Sequence, residues 1–217
     1  MRSVNFRRIL QTCGLTLVAA TALLTAVPHA RAQEGEEAAT TTEKVAVLKT
    51  NMGDIVLRFF PDVAPNHVEN FLTLAADGFY DGVKFHRVIP GFVIQGGDPN
   101  SKDDHRGNDG RGGSATNVKA EFTKLPHHRG VLSMARGGNP DSASSQFFIC
   151  VKNAQRALDN KYSAFGMVVE GMDVADAIVN LPRDNNDNPL PANPAIIESV
   201  VIEEREVPAR PEWSILD

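Results

Sequence analysis

In FHRVIPGFVIQGGD, residues 85–98, a basic pair, His86-Arg87, sits inside one apolar run and an amide, Gln95, inside the next. Short apolar runs bounded by a turn signal are strands that bury at least one face. A charge within them marks either a polar sheet rim or the lining of a site. Arginine is permanently charged and carries a rigid planar fork of donors. Such a donor can stabilise charge that develops on a reacting group without forming a bond. In a two-residue hairpin about Pro90-Gly91, Arg87 would face Ile94. Bringing Arg87 and Gln95 to one face therefore needs an offset such as a bulge.

Other chemistries fit less well. His127-His128 are adjacent, and neighbours on an extended chain point to opposite faces, so they do not chelate together. DNNDN (184–188) has Pro189 where a calcium loop needs its turn glycine and Ala195 where it needs a bidentate Glu. The sequence lacks G-x-S-x-G, and GRGGSATN lacks the ending of a phosphate loop. No metal and no cofactor is expected. Cys150, in FFIC, reads as a small buried hydrophobe.

The elements that position Arg87 and Gln95 are short. Val45–Lys49 and Ile55–Phe59 form a hairpin pattern, and Asn66–Ala76 carries helical spacing ended by Gly78, with His67 read as an exposed first-turn residue. Strands follow at 83–88, 92–95, 130–135, 146–151, 165–169 and 196–203, with a second helix around Met172–Val179. Pro99–Asn117 reads as a long surface loop with no core signal. About eight strands and two helices without βαβ alternation imply a mainly β domain, barrel or sandwich, with the helices outside.

FHRVIPGFVIQGGD, GVLSMARGGNPDSASSQFFI and LDNKYSAFGMVVEGMDVADAI occur in this order and closely resemble the cyclophilin family of peptidyl-prolyl cis-trans isomerases over roughly 44–204. The resemblance implies a closed eight-stranded antiparallel barrel capped by two helices. It implies that Arg87, Gln95 and Phe148 are catalytic, and that Phe92, Val93, Ala135, Gln146, Leu158 and Tyr162 bind substrate. The implied reaction is non-covalent rotation of an X-Pro amide through an arginine-stabilised twisted state. A proline-segment binding module or chaperone with incidental isomerase activity is the alternative. Three departures bear on specificity. Ala157 stands where many members have the tryptophan that contacts cyclosporin, so weak cyclosporin binding is expected. Val93 replaces a methionine. Arg136 replaces a small polar residue, which favours acidic substrates.

The ends read differently from the middle. Residues 1–32 combine Arg2, Arg7 and Arg8, an apolar run at 14–27 and the small-x-small site Ala30-Arg31-Ala32. They are read as a signal peptide, which places the protein in an exported compartment, a bacterial periplasm. Residues 33–43 are read as a flexible acidic linker, 44–206 as the isomerase domain and 207–217 as a tail. Cleavage removes four bases and no acids, leaving 18 bases against 27 acids, a net charge of −9. That balance argues against nucleic acid and anionic membrane. The expected partners are proline-containing peptides and unfolded exported proteins, bound by a monomer.

Overall fold

The computed structural model describes residues 39–215. The signal peptide expected over 1–32 lies outside them. Eight strands make one antiparallel sheet: β1 (Thr40–Thr50), β2 (Gly53–Phe59), β3 (Arg87–Ile89), β4 (Val93–Gly96), β5 (Val131–Met134), β6 (Phe147–Cys150), β7 (Ala164–Glu170) and β8 (Ile197–Pro208). Their order is β3-β4-β6-β5-β7-β2-β1-β8.

The closed barrel implied by the family resemblance is corrected here: no ladder joins the two ends of the sheet, β3 and β8. The segments just before them do meet, through the isolated bridge Lys84↔Ile196 and the bond from Phe85 N to Ala195 O at 2.9 Å. The physical reason for the gap is that β3 is only three residues long. Its outward N–H, on Val88, is taken by Asp187 O at 2.7 Å rather than by a strand.

Period-2 alternation explains both sides of β1. Ala46 and Leu48 join Ile55 and Leu57 in the main core, while Val45 and Val47 pack with Val56 and Val207 on the other face. That is why the run reads as continuously apolar. β1 starts at Thr40 and pairs with β8 from Thr40↔Pro208 to Thr50↔Ile197. The expected boundaries at 43/44 and 206/207 therefore cut through a ladder. Arg58, 1% exposed, closes this end by donating Nε to Glu43 at 3.0 Å and Nη1 to Pro208 O at 2.7 Å.

The described residues form three helices rather than two: α1 (Pro65–Ala76), the single turn α2 (Gln155–Leu158) and α3 (Met172–Val179). Pro65 opens α1, where a missing N–H costs nothing. No side chain caps that end locally; instead the N–H groups of Asn66 and His67 donate to Glu121 at 3.1 and 3.0 Å. His67 is correspondingly fully buried, not exposed, with Nδ1 against Glu121 at 2.5 Å. Phe71 of α1 anchors the core through Tyr80, Phe147 and Phe165, with ring centroids 4.9, 5.5 and 5.8 Å away.

Candidate active site

The β3–β4 turn supplies the offset that a two-residue hairpin lacks. Phe92 N donates to Ile89 O at 2.9 Å, and Gly91 has φ +74, as the third position of a type II turn requires. Ile89 pairs with Val93, not Phe92, so the loop is Pro90-Gly91-Phe92. The extra residue places Arg87 opposite Gln95.

Gln95 is in turn opposite Phe148, and Phe148 opposite Ser133. Residues directly opposed on neighbouring strands point to the same face. Arg87, Gln95, Phe148 and Ser133 thus form one row across β3, β4, β6 and β5. The neighbouring row, Val88, Ile94, Ile149 and Leu132, is fully buried in the core. Val93, two residues from Gln95, shares the outward face, as do Ala135 and Gln146, joined by a bond from Ala135 N to Gln146 O at 2.9 Å.

This face floors a cleft of about 710 Å³. Arg87, Gln95, Phe92, Val93, Ala135, Phe148, Leu158 and Tyr162 all line it. Gln146 lies in an adjoining recess and reaches the row from there. Arg87 Nη1 donates to Gln95 Oε1 at 3.3 Å, Gln95 Nε2 to Gln146 Oε1 at 2.9 Å, and Gln146 Nε2 to Gly112 O at 2.8 Å. A chain of amides thereby ties the guanidinium to the loop beyond the sheet. Val93, Phe148 and Leu158 are 2%, 4% and 5% exposed, an apolar floor with only its upper surface open. Tyr162 packs edge-on against Phe148, with centroids 5.6 Å apart at 84°.

Sequence reasoning missed two walls of the cleft. Loops at 106–111 and 184–188 contribute Arg106, Asp109 and Asn188, joined by Arg106 Nη2 to Asp184 at 2.6 Å and Asn188 Nδ2 to Asp109 at 2.6 Å. The segment read as a plain surface loop is organised by Asp98, fully buried, which accepts from the N–H of Asn100 at 2.8 Å and from Gly110 N. Asp98-Pro99-Asn100 after Gly96-Gly97 is the available signal, an N-cap motif at the head of a short 3-10 turn.

His127 stacks on Phe148 with centroids 6.2 Å apart. Its Nδ1 meets Asp159 at 2.8 Å and its Nε2 meets Ser133 Oγ at 3.1 Å. Burial lowers the His127 pKa despite the opposing pull of Asp159. Its neighbour His128 turns the other way, onto Trp213 at 4.8 Å. Cys150 is buried opposite Val93, and burial, with Asp159 nearby, pushes its thiol up to about 12.

Comparison with known proteins identifies the family. Residues 45–202 match the family described as cyclophilin type peptidyl-prolyl cis-trans isomerase/CLD. The chain belongs to that family, and its activity class is that of a peptidyl-prolyl cis-trans isomerase. A Dictyostelium discoideum protein named peptidyl-prolyl cis-trans isomerase-like 3 is 42% identical over 71% of this chain and 92% of its own length. A Gibberella zeae protein named peptidyl-prolyl cis-trans isomerase-like 2 is also 42% identical, over 72% of this chain, but the chain spans only 26% of that protein. The solved cyclophilin type isomerase of Cryptosporidium parvum, crystallised in the presence of the dipeptide Ala-Pro, superposes with a TM-score of 0.66 at 33% identity, covering 73% of this chain and 98% of that one. Relatives occur in fungi, a slime mould, a plant and bacteria, so they do not single out a bacterial exported form.

The buried histidines make stability depend on pH. His67, His86 and His127 all have pKa values lowered from 6.5, first by burial. As pH falls the unfolded chain takes up protons before the folded one, so this stability is full above about pH 6.5 and is lost below it. The urea midpoint is expected to fall between about pH 7 and pH 5. A midpoint that stays constant across that window contradicts neutral burial of these rings.

Proposed function

We propose that Arg87 catalyses X-Pro isomerisation without covalent chemistry, by favouring the twisted amide over the planar one. The observation that carries this reading is a guanidinium in the cleft with a neutral partner, Gln95, at 3.3 Å and no carboxylate partner among the described residues. Its charge stays available to substrate. Twisting an amide breaks its resonance against a barrier of about 18–20 kcal/mol. At a right-angle twist the prolyl nitrogen becomes pyramidal and regains a basic lone pair. A fixed cationic donor aimed at that state lowers the barrier, and one such donor supplies roughly 3–4 kcal/mol.

The remainder comes from anchoring. Phe92, Val93, Phe148 and Leu158 form an apolar seat for the prolyl ring, with Tyr162 edge-on beside it. Ala135 and Gln146 hold the flanking backbone while the carbonyl turns, and Gln95 orients the Arg87 guanidinium. Phe148 holds the prolyl ring still while the carbonyl turns against it, which is why it is grouped with the catalytic residues. None of these roles requires a metal or a cofactor. Proline-containing peptides are the substrate class, in keeping with the Ala-Pro dipeptide used with the Cryptosporidium parvum relative, and the acting species is a monomer.

The test is isomerisation of a short X-Pro peptide followed by exchange spectroscopy. Arg87→Ala is expected to lower kcat/KM by about a hundredfold or more, with peptide affinity changed less than about threefold. Equal rates in the two proteins contradict the assignment, and a pure loss of binding favours a binding module instead.

Two further expectations belong to the same reading. Ala157 precedes Leu158 at the rim, and Trp213, the only tryptophan, packs on His128 and does not line the cleft. With no indole to meet it, cyclosporin is expected to bind more weakly than about 1 μM; nanomolar inhibition contradicts this. The pattern of residues 1–32 supports export and action on exported chains whose slow X-Pro steps limit folding. Sequencing the N-terminus of protein recovered outside the cytoplasm should give Gln33 as the first residue. Recovery only inside the cytoplasm, with Met1 retained, counts against export.

A further inference from the structure

Beside the cleft, and continuous with it through Gln95, Ala135 and Arg136, lies a recess of about 410 Å³. It is walled by the glycine-rich loop at 110–114 and by Arg136, and none of the described residues lining it is acidic. We propose that this recess is a subsite for an acidic side chain of the substrate. The enzyme then prefers prolyl segments with Glu or Asp within a few residues of the proline. This rests on the isomerase reading of the adjoining cleft and adds a substrate class to it.

The distribution of arginine partners carries the argument. Ten arginines fall among the described residues. Six of them, Arg58, Arg106, Arg129, Arg183, Arg205 and Arg210, are paired with carboxylates. Of the four that are not, Arg156 lies on α2, and the other three, Arg87, Arg111 and Arg136, border the cleft or its recess. Arg106, which ties the two wall loops together, finds an acid even though it lines the cleft, whereas Arg87, Arg111 and Arg136 are left without one.

Arg136 is held in place without being neutralised. Its Nε donates to Lys161 O at 2.9 Å and its Nη1 to Gly137 O at 2.9 Å. Its guanidinium lies 4.9 Å from the centre of the Tyr162 ring and 5.8 Å from that of Phe122. Carbonyls and ring faces orient a cation while leaving its net charge intact. Arg111 differs. Its backbone is pinned by Arg111 N to Asn108 O at 3.2 Å and by Gln146 Nε2 to Gly112 O at 2.8 Å, while its side chain is exposed. One oriented cation and one adaptable cation around a recess free of acids make a receptor for a carboxylate. Asp109 and Asp184 line the cleft, not the recess, and are engaged by Asn188 and Arg106. An extended chain advances about 3.3–3.6 Å per residue, so a side chain one to three residues from a seated proline reaches the recess.

The experiment compares kcat/KM for peptides with Glu or its uncharged isostere Gln placed singly at three positions on each side of the proline. At low ionic strength at least one position is expected to favour Glu by about fivefold, the scale of a partly exposed ion pair. The ratio should fall toward one in about 1 M salt, and toward one in both Arg111→Glu and Arg136→Gln. A ratio near one at every position, with both peptides isomerised, overturns the subsite and leaves the isomerase reading standing. A preference that persists unchanged in both variants assigns it to Arg87 and also overturns the subsite. If no peptide is isomerised, both readings fall.

Discussion

The register of the β3–β4 hairpin is the constraint on which the site depends. Phe92 is one residue more than a two-residue turn would hold, and its presence moves Arg87 from opposite Ile94 to opposite Gln95. Because side chains alternate between faces, a one-residue slip would turn β3 over relative to β4. With β4 held by β6, Val88 would then face the groove and Arg87 would join Ile94 in the apolar interior. Burying an arginine there without a partner is prohibitive. The core therefore enforces the register that builds the site, and Gly91 supplies the positive φ that lets the turn hold it.

The electrostatic character of the site follows from the choice of neutral partners. A carboxylate at position 95 would orient the Arg87 guanidinium but also neutralise it. An amide orients it and leaves the charge unspent. Gln95 can do so because its own amide is fixed by Gln146, which is fixed by Gly112 O. At the end of the row, Ser133 joins His127 and Asp159 in a second polar chain that flanks Phe148. The apolar seat and the cationic donor are thus each supported by hydrogen bonds, so little reorganisation is needed when substrate arrives.

The strands were readable because alternation and turn residues are local signals. The runs at 45–48, 55–57, 131–134 and 147–150 became strands with bounds shifted by a residue or more. The eight cleft-lining residues named in advance came from long ordered motifs, whereas strand geometry alone stopped at the unexplained offset between Arg87 and Gln95. What local pattern could not carry was long-range pairing. His67 reads as exposed because its partner Glu121 is far along the chain. The walls at 106–111 and 184–188 are rich in Asp, Asn and Gly, which look like solvent loops until Asp98, Asp184 and Asn188 are seen to tie them together. Closure of the sheet was likewise not written in any one strand. It fails because the edge of β3 is occupied by Asp187.

The central claim is that Gln95 acts on substrate largely by holding the Arg87 guanidinium. A double-mutant cycle with Arg87→Lys and Gln95→Ala, read as kcat/KM on an Ala-Pro peptide, tests it most directly. Lysine keeps the charge but loses the planar fork that the amide orients. The account predicts a coupling energy of about 1 kcal/mol or more between the two positions. Additive losses, with coupling near zero, would contradict it.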